Sequence, residues 1–493
     1  MKNTIIILVV ILIYGRVAAQ QSQPIIIGKI ETIHSRILNE NRKILVYSPT
    51  NTSNLVQPEK RYPVLYLLDG EAHFYSTIGI IQQLSQANGN GVLPEMIVVG
   101  IENTNRFRDL VPAYPAAEKI EKANPFMNFL STELMPYIEK HYPTAPYKVI
   151  VGHSLGGLTV IDLLANYPTL FNAYIAIDPS LWYNNEKYLN QYLSQVNKQP
   201  LNNIKLFMSI ANPMPIGTDL SAIKKDRTNE SQPVRSILKF DQFLQTRSTG
   251  FKYHQKYYNR DRHNSVPLIS EYDGLRFIFD FYFFDATEKD FADSTNLITS
   301  RLQAHYRNIS SELGYKVSPP ESLINYFGYD ALGKKQYNKA AAFFQMNVEN
   351  YPSSSNSFDS YGDFFAARKD TINAIRNYEK ALAIKTELNT IQKLNALIKR
   401  ESYKLSQTEL QMYQGVYTLE NYKIDIVLKI QDGKLWAIVP GQPEDEFVPL
   451  SKDVFTVKGK QGYTITFKMN GSKPLEFTSV QPNGIFKAFF KNE

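Results

Sequence analysis

Between about residues 25 and 285, short apolar runs rich in β-branched and aromatic residues alternate with longer amphipathic stretches. The runs at 62–68, 95–101, 148–152, 173–177, 204–210 and 253–258 read as strands, and 123–141 and 158–167 read as helices between them. This alternation predicts a mostly parallel sheet with crossover helices on both faces. Two further runs, 25–35 and 43–48, read as an antiparallel edge.

From about 316 to 404 the strand pattern disappears. Residues 34 apart correspond: Phe327 with Tyr361, Gly328 with Gly362, Ala340 with Ala374, and Phe344 with Tyr378, and Pro352 closes the first unit. Small and aromatic residues at these offsets let antiparallel helices pack closely, and the segment resembles tetratricopeptide repeats. Two units are fewer than such stacks normally hold, so the helix expected near 387–399 reads as a cap. The resemblance implies either a structural spacer or a surface that docks a protein partner.

Beyond about 408 short alternating segments return, at 423–430, 435–440, 463–469 and 484–490. Asp432-Gly433, Pro440-Gly441, Asn470-Gly471 and Asn483-Gly484 separate them. Such dipeptides favour tight hairpins, which predicts a small antiparallel β-sandwich or barrel. The run Tyr413-Gln414-Gly415-Val416-Tyr417, with Asp432-Gly433-Lys434-Leu435, resembles the β-barrel appendages of secreted serine hydrolases. No histidine lies in this part, so an accessory module is expected there.

Residues 1–19 combine a charged start, an apolar run and small residues before Gln20. The run is well short of the roughly 20 apolar residues a membrane span needs, so it reads as a secretory signal peptide. The expected organisation is a signal at 1–19, an α/β domain at 20–285, a linker helix at 286–315, helical repeats at 316–404 and an antiparallel β domain at 405–493. An exported protein, periplasmic or secreted and without a membrane span, follows.

Composition narrows the chemistry. The chain has no cysteine, which excludes disulfides, thiolate zinc sites, iron–sulfur clusters and cysteine nucleophiles. Its net charge of +7 is dispersed without a basic stripe, so a nucleic-acid partner is not expected.

The candidate chemistry centres on Gly152-His153-Ser154-Leu155-Gly156, a G-x-S-x-G pattern between an apolar strand and a helix. A serine on so sharp a turn needs flanking glycines to avoid collision, and it is presented at the carboxyl end of the sheet as a nucleophile. The Leu155 N–H then faces a developing oxyanion, with Glu71 or Ala72, after the strand ending at Asp69-Gly70, as second donor.

Of the seven histidines, His263 alone lies between the last strand and the closing helix, where a general base belongs. His254 falls inside a strand, and His305 lies beyond the sheet. The carboxylate that orients the base is expected after the strand 204–210, but Ala211-Asn212-Pro213 offers none. The candidates, in order, are Asp226, Asp219, Glu230 and Asp178, with a Ser–His dyad as the remaining possibility.

Leu67-Leu68-Asp69-Gly70, Ile101-Glu102-Asn103-Thr104 with Arg106 and Arg108-Asp109-Leu110-Val111-Pro112, the Gly152 to Gly156 elbow, and His263 with Ser265-Val266-Pro267 together resemble a family. It is that of the esterases of the α/β-hydrolase fold, including the enterochelin-esterase-like and esterase D groups. The resemblance covers about residues 25–285. It implies a serine carboxylic-ester hydrolase that needs no metal or cofactor and acts on a small-molecule or carbohydrate-linked ester. Arg106 and Arg108 are candidates for binding an anionic part of it, against a structural salt bridge with Asp109. Acyl transfer by the same serine, and a catalytically inactive binding protein on this fold, are the alternatives.

Overall fold

The computed structural model describes residues 24–491 except 50–59, 86–90, 117–118, 121–123, 197–200, 247–249, 293–296, 399–402, 461–462 and 482–483. The segment 1–19, expected to direct export, and Asn483 of the last expected turn lie outside the described residues.

The first unit comprises residues up to 285 together with 307–317. Its eight strands are β1 Lys29–Ser35, β2 Glu40–Tyr47, β3 Tyr62–Leu68, β4 Ile97–Ile101, β5 Thr144–His153, β6 Ala173–Ile177, β7 Ile204–Ala211 and β8 Phe251–Tyr258. They form one sheet in the order β1-β2-β4-β3-β5-β6-β7-β8. β1 and β2 are the antiparallel edge that the sequence predicts, and every pair from β4 to β8 is parallel.

Position in the sheet explains the strand sequences. β3, β6 and β7 are buried along their whole length, as central parallel strands covered on both faces must be. β8 lies at the edge and alternates exposed with less exposed residues, which is why polar residues interleave its aromatic ones. Alternate residues of β7 face opposite ways: Leu206, Met208 and Ile210 enter the main core, while Phe207 lies beneath Gly274. The helices Gly70–Ser85 and Val266–Ile278 pack on each other, and Leu155–Asn166, Tyr183–Gln195 and Gln232–Gln245 form a second group.

The helix expected over 123–141 is interrupted by a π-helical turn, Leu130–Leu134, between Pro125–Phe129 and Met135–His141. Pro136 accounts for the break, because it has no N–H to continue the ladder. Residues 307–317 return to this unit, where Lys205 Nζ, buried beneath the sheet, lies 2.8 Å from Glu312 and donates to the Ile278 carbonyl at 3.0 Å.

In the second unit, helices Glu321–Gly333 and Tyr337–Asn350 pair, as do Ser355–Ala367 and Thr371–Ile384, and Leu388–Ile398 follows. A Cβ at Gly328 would lie 2.8 Å from the Phe344 ring, and one at Gly362 would lie 2.5 Å from the Tyr378 ring. The same close helix contact therefore recurs one sequence period later.

The β domain is a closed barrel, which decides between the two expected forms. Its strands are β9 Gly415–Leu419, β10 Asp425–Gln431, β11 Lys434–Ile438, β12 Asp445–Ser451, β13 Val454–Val457, β14 Thr464–Asn470, β15 Lys473–Gln481 and β16 Gly484–Phe490, and β16 pairs with β9 to close it. Tyr413, Tyr417, Phe455, Phe467 and Phe477 fill the interior. Gly433 and Gly471 take positive φ (73° and 62°) in the hairpins predicted from their dipeptides.

Candidate active site

The parallel strands deliver their following loops to one edge of the sheet, and the chemistry-bearing residues are on those loops. Ser154 stands between β5 and the helix Leu155–Asn166 with φ 61° and ψ −115°, a conformation that costs a non-glycine residue about 1–3 kcal/mol. Three features hold it there. Its N–H donates to the Ile177 carbonyl (3.0 Å), and its own carbonyl accepts from Leu158 N and Ser180 N (both 3.0 Å). The chain doubles back so tightly that a Cβ at Gly152 would sit 2.4 Å from the Gly156 carbonyl oxygen. Gly157 is constrained as well, since its Cβ would lie 2.9 Å from Pro179 Cα.

His263 comes from the loop between β8 and the helix Val266–Ile278, and its Nε2 lies 3.0 Å from Ser154 Oγ. Its Nδ1 lies 2.6 Å from Asp178 Oδ2. Asp178 directly follows β6, with φ 40°, and its other oxygen accepts from Ala211 N at 3.0 Å. The loop bearing His263 is tied to the end of β7: Asn212 N donates to the Asp261 carbonyl at 2.8 Å, and Arg262 Nη1 donates to the Pro213 carbonyl at 2.6 Å.

Of the four candidate acids, Asp178 is the one that the structure brings to the imidazole. Asp226, placed first, accepts from Thr228 N (2.8 Å), Thr228 Oγ1 (2.5 Å) and Ser231 Oγ (2.5 Å) within its own loop. Asp219 caps the helix Leu220–Lys225 by accepting from Ser221 N at 2.7 Å, and Glu230 is exposed. After β7 the loop does not fold back to the imidazole, because Asn212 holds it. The Asn212 amide donates to Pro215 O (2.9 Å) and Asn259 O (2.8 Å), and its Oδ1 accepts from Met214 N (2.9 Å). The carboxylate at His263 is Asp178, one strand earlier.

Around this cluster the sequence concealed a good deal. The His153 ring packs against His263 with centroids 4.4 Å apart, and His73 meets His153 edge-on at 5.9 Å. Burial, reinforced by the neighbouring His263, pushes the His153 imidazole down to about 4, and burial also lowers His73. Both rings are thus neutral near neutral pH. Asp69, at the end of β3, is buried and clasped by Arg106 through Nε (2.7 Å) and Nη2 (2.9 Å), with Asn103 Nδ2 at 2.7 Å. Glu71 accepts from the Asn103 amide at 2.7 Å, and the Ala72 N–H donates to the Asp69 carbonyl at 2.9 Å, which commits one of the two expected oxyanion donors elsewhere.

Neither arginine is disposed as a free anion ligand. Arg106 is committed to Asp69 and to the His153 carbonyl (3.3 Å). Arg108 pairs with Glu40 through both terminal nitrogens (2.9 and 2.7 Å) and with Asp109 through Nε (2.7 Å). The Arg108 guanidinium, with Arg42 behind it, holds the Glu40 carboxyl down at about 2. Arg42 and Asp109 are themselves fully buried and 2.6 Å apart. Without Asp109 the buried Arg42 keeps only Glu40 (2.9 Å) and the Glu102 carbonyl (2.7 Å), so Asp109→Ala is expected to cost the α/β domain about 2 kcal/mol, less than a fully stranded charge would. Calorimetric unfolding of the full chain checks this, and an unchanged transition would show the pair to be dispensable.

Residues 35–237 match the family model described as "Putative esterase". The ferri-bacillibactin esterase BesA of Bacillus subtilis (strain 168) is 31% identical over 188 residues, 33% of this chain and 64% of that protein. The crystal structure of an IroE-like serine hydrolase from Shewanella oneidensis superposes with a TM-score of 0.52 at 28% identity, over 65% of this chain and 99% of the other. These likenesses support a carboxylic ester hydrolase. An uncharacterised protein from Capnocytophaga ochracea DSM 7271 shares the fold at 20% identity, TM-score 0.52, over 76% of this chain and all of its own. The first unit has the α/β-hydrolase fold, with the candidate residues on the loops where that fold places its chemistry. Among the described residues no helix is long and apolar enough to cross a membrane, and no group of three or more His, Asp or Glu is placed to hold a metal ion.

Proposed function

We propose that this chain is an exported serine esterase that works through an acyl-enzyme on Ser154. The observation carrying this reading is the continuous chain of contacts Ser154 Oγ, His263 Nε2, His263 Nδ1, Asp178 Oδ2, at 3.0 and 2.6 Å. An ionised carboxylate only accepts, so Asp178 fixes the imidazole proton on Nδ1 and leaves Nε2 basic toward the serine.

As Ser154 Oγ attacks the ester carbonyl carbon, its proton passes to His263 Nε2, and the Asp178 charge stabilises the resulting imidazolium. The oxyanion is held by the Leu155 N–H, at the start of a twelve-residue helix, and by the Glu71 N–H. His263 then protonates the leaving alcohol, and water attacks the acyl-serine by the reverse proton path. His153 and His73, kept neutral by burial, place no competing positive charge beside the imidazolium.

The substrate class we infer is a siderophore ester, on the likeness to the ferri-bacillibactin esterase. The apolar N-terminal segment supports export. Labelling with a fluorophosphonate, peptide mapping of the adduct, and product analysis on a panel of aryl and ferric-siderophore esters test the reading. A single adduct on Ser154 and release of free acid are expected; a chain that takes no label refutes the serine mechanism.

A further inference from the structure

The turn that delivers Asp178 also delivers a second group to the reacting atoms. Ser180 lies two residues on, buried, with its Oγ 3.3 Å from Ser154 Oγ. Its backbone N–H donates to the Ser154 carbonyl at 3.0 Å, so the two serines are joined at main chain and side chain alike. Pro179, between Asp178 and Ser180, rests against Gly157, which fixes the turn on the elbow itself.

Proton accounting sets the direction of the contact between the hydroxyls. His263 Nδ1 must donate to the Asp178 carboxylate, so in the neutral imidazole Nε2 is an acceptor. The one proton on Ser154 Oγ therefore goes to His263 Nε2 at 3.0 Å. In the contact between the two serines Ser154 then has only lone pairs to offer, and the donor is Ser180. Among the described residues the Ser180 hydroxyl has no other side-chain or backbone partner, and a buried hydroxyl left unpaired carries a desolvation penalty.

Resting on Ser154 as nucleophile, we infer that Ser180 is a further catalytic residue, whose hydroxyl donates to Ser154 Oγ and directs the nucleophile's proton onto His263. When that proton leaves for Nε2 and the Oγ–carbon bond forms, negative charge passes through Oγ and the Ser180 hydrogen bond shortens. When the acyl group departs to water, Oγ is the leaving atom and the same donor stabilises it. The Ser180 proton stays on Ser180 throughout. One turn, 178–180, thus orients the base with its first side chain and polarises the nucleophile with its last.

The test compares the full chain with Ser180→Ala and Ser180→Cys, using an aryl fluorophosphonate and a p-nitrophenyl ester. Loss of one neutral donor is expected to slow both the phosphonylation rate and kcat about tenfold. The thiol, a weak donor of similar size, is expected to fall between serine and alanine. KM and the apparent pKa of the acid limb are expected to stay at the parent values, since Asp178 and His263 keep their contact. Full rates in Ser180→Ala overturn the proposal. A slowed variant whose acid limb has moved overturns it too, because Ser180 would then act only by placing Asp178. If alanine prevents folding, the serine-to-cysteine comparison decides alone: a cysteine variant as fast as the parent refutes the donor role. A parent that takes no label refutes Ser154 as nucleophile first, whereas a labelled parent with a full-rate alanine variant refutes Ser180 alone.

Discussion

Ser154→Ala is expected to lower kcat for an activated aryl ester by on the order of 10⁵-fold, with KM little changed and the fluorophosphonate adduct abolished. In the proposed mechanism Ser154 Oγ forms the covalent bond, so no neighbouring group restores the lost step. The Ser180 hydroxyl lies 3.3 Å from Ser154 Oγ, but in the proposed arrangement it donates to Ser154 and has no base of its own. Residual turnover should reflect only oxyanion binding and water activated by His263. The fold should be unharmed: alanine tolerates the φ of 61° no worse than serine does, and the main-chain bonds to Ile177, Leu158 and Ser180 do not involve the hydroxyl. Steady-state kinetics, with a melting curve for each protein, read both effects. Retention of most of the activity would place the chemistry elsewhere and refute the acyl-enzyme on this residue.

The residues proposed as nucleophile and base were legible because backbone physics constrains their neighbours. A sharp strand-to-helix turn has no room for a Cβ at 152 and little at 157, and that need is written in the sequence as glycines. His263 could be isolated because the histidines that follow Ser154 in the chain otherwise fall on other elements; His254, for instance, lies in β8 between Phe207 and Phe277. Asp178 was harder. In sequence, Asp-Pro after a strand is an ordinary turn, and nothing local says that its carboxylate reaches a loop 85 residues later. What brings them together is sheet order: Ile177 pairs with Ser209, so the ends of β6 and β7 are adjacent, and a residue after either can serve the same imidazole. A one-strand ambiguity of this kind is invisible without the register.

The same limit explains the arginines. Asp69 lies 37 residues before Arg106, and Glu40 lies 68 before Arg108, so two guanidinium groups that look available in sequence are committed in three dimensions. In the β domain the hairpin dipeptides announced the turns, but barrel closure depends on β16 meeting β9, which no local pattern encodes.

Asp178→Asn is expected to lower kcat/KM about 10⁴-fold, while Asp226→Asn leaves it within about twofold. An amide at 178 can still accept from Ala211 N through its oxygen, so the turn should hold. Its NH₂ then faces His263 Nδ1, which can meet a donor only as an acceptor. The imidazole proton is thereby moved to Nε2, the nitrogen that must take the proton of Ser154, and the imidazolium formed during attack loses its counter-charge. At 226 the same change touches only a loop that accepts from Thr228 and Ser231, and should cost about 1 kcal/mol of local stability at most. Measuring both variants on one aryl ester, with thermal melting alongside, separates chemistry from folding. A large loss at Asp226 with normal activity at Asp178 would reverse the assignment. Equal, small losses at both would leave Ser154 and His263 as a dyad, in which the carboxylate only braces the ring.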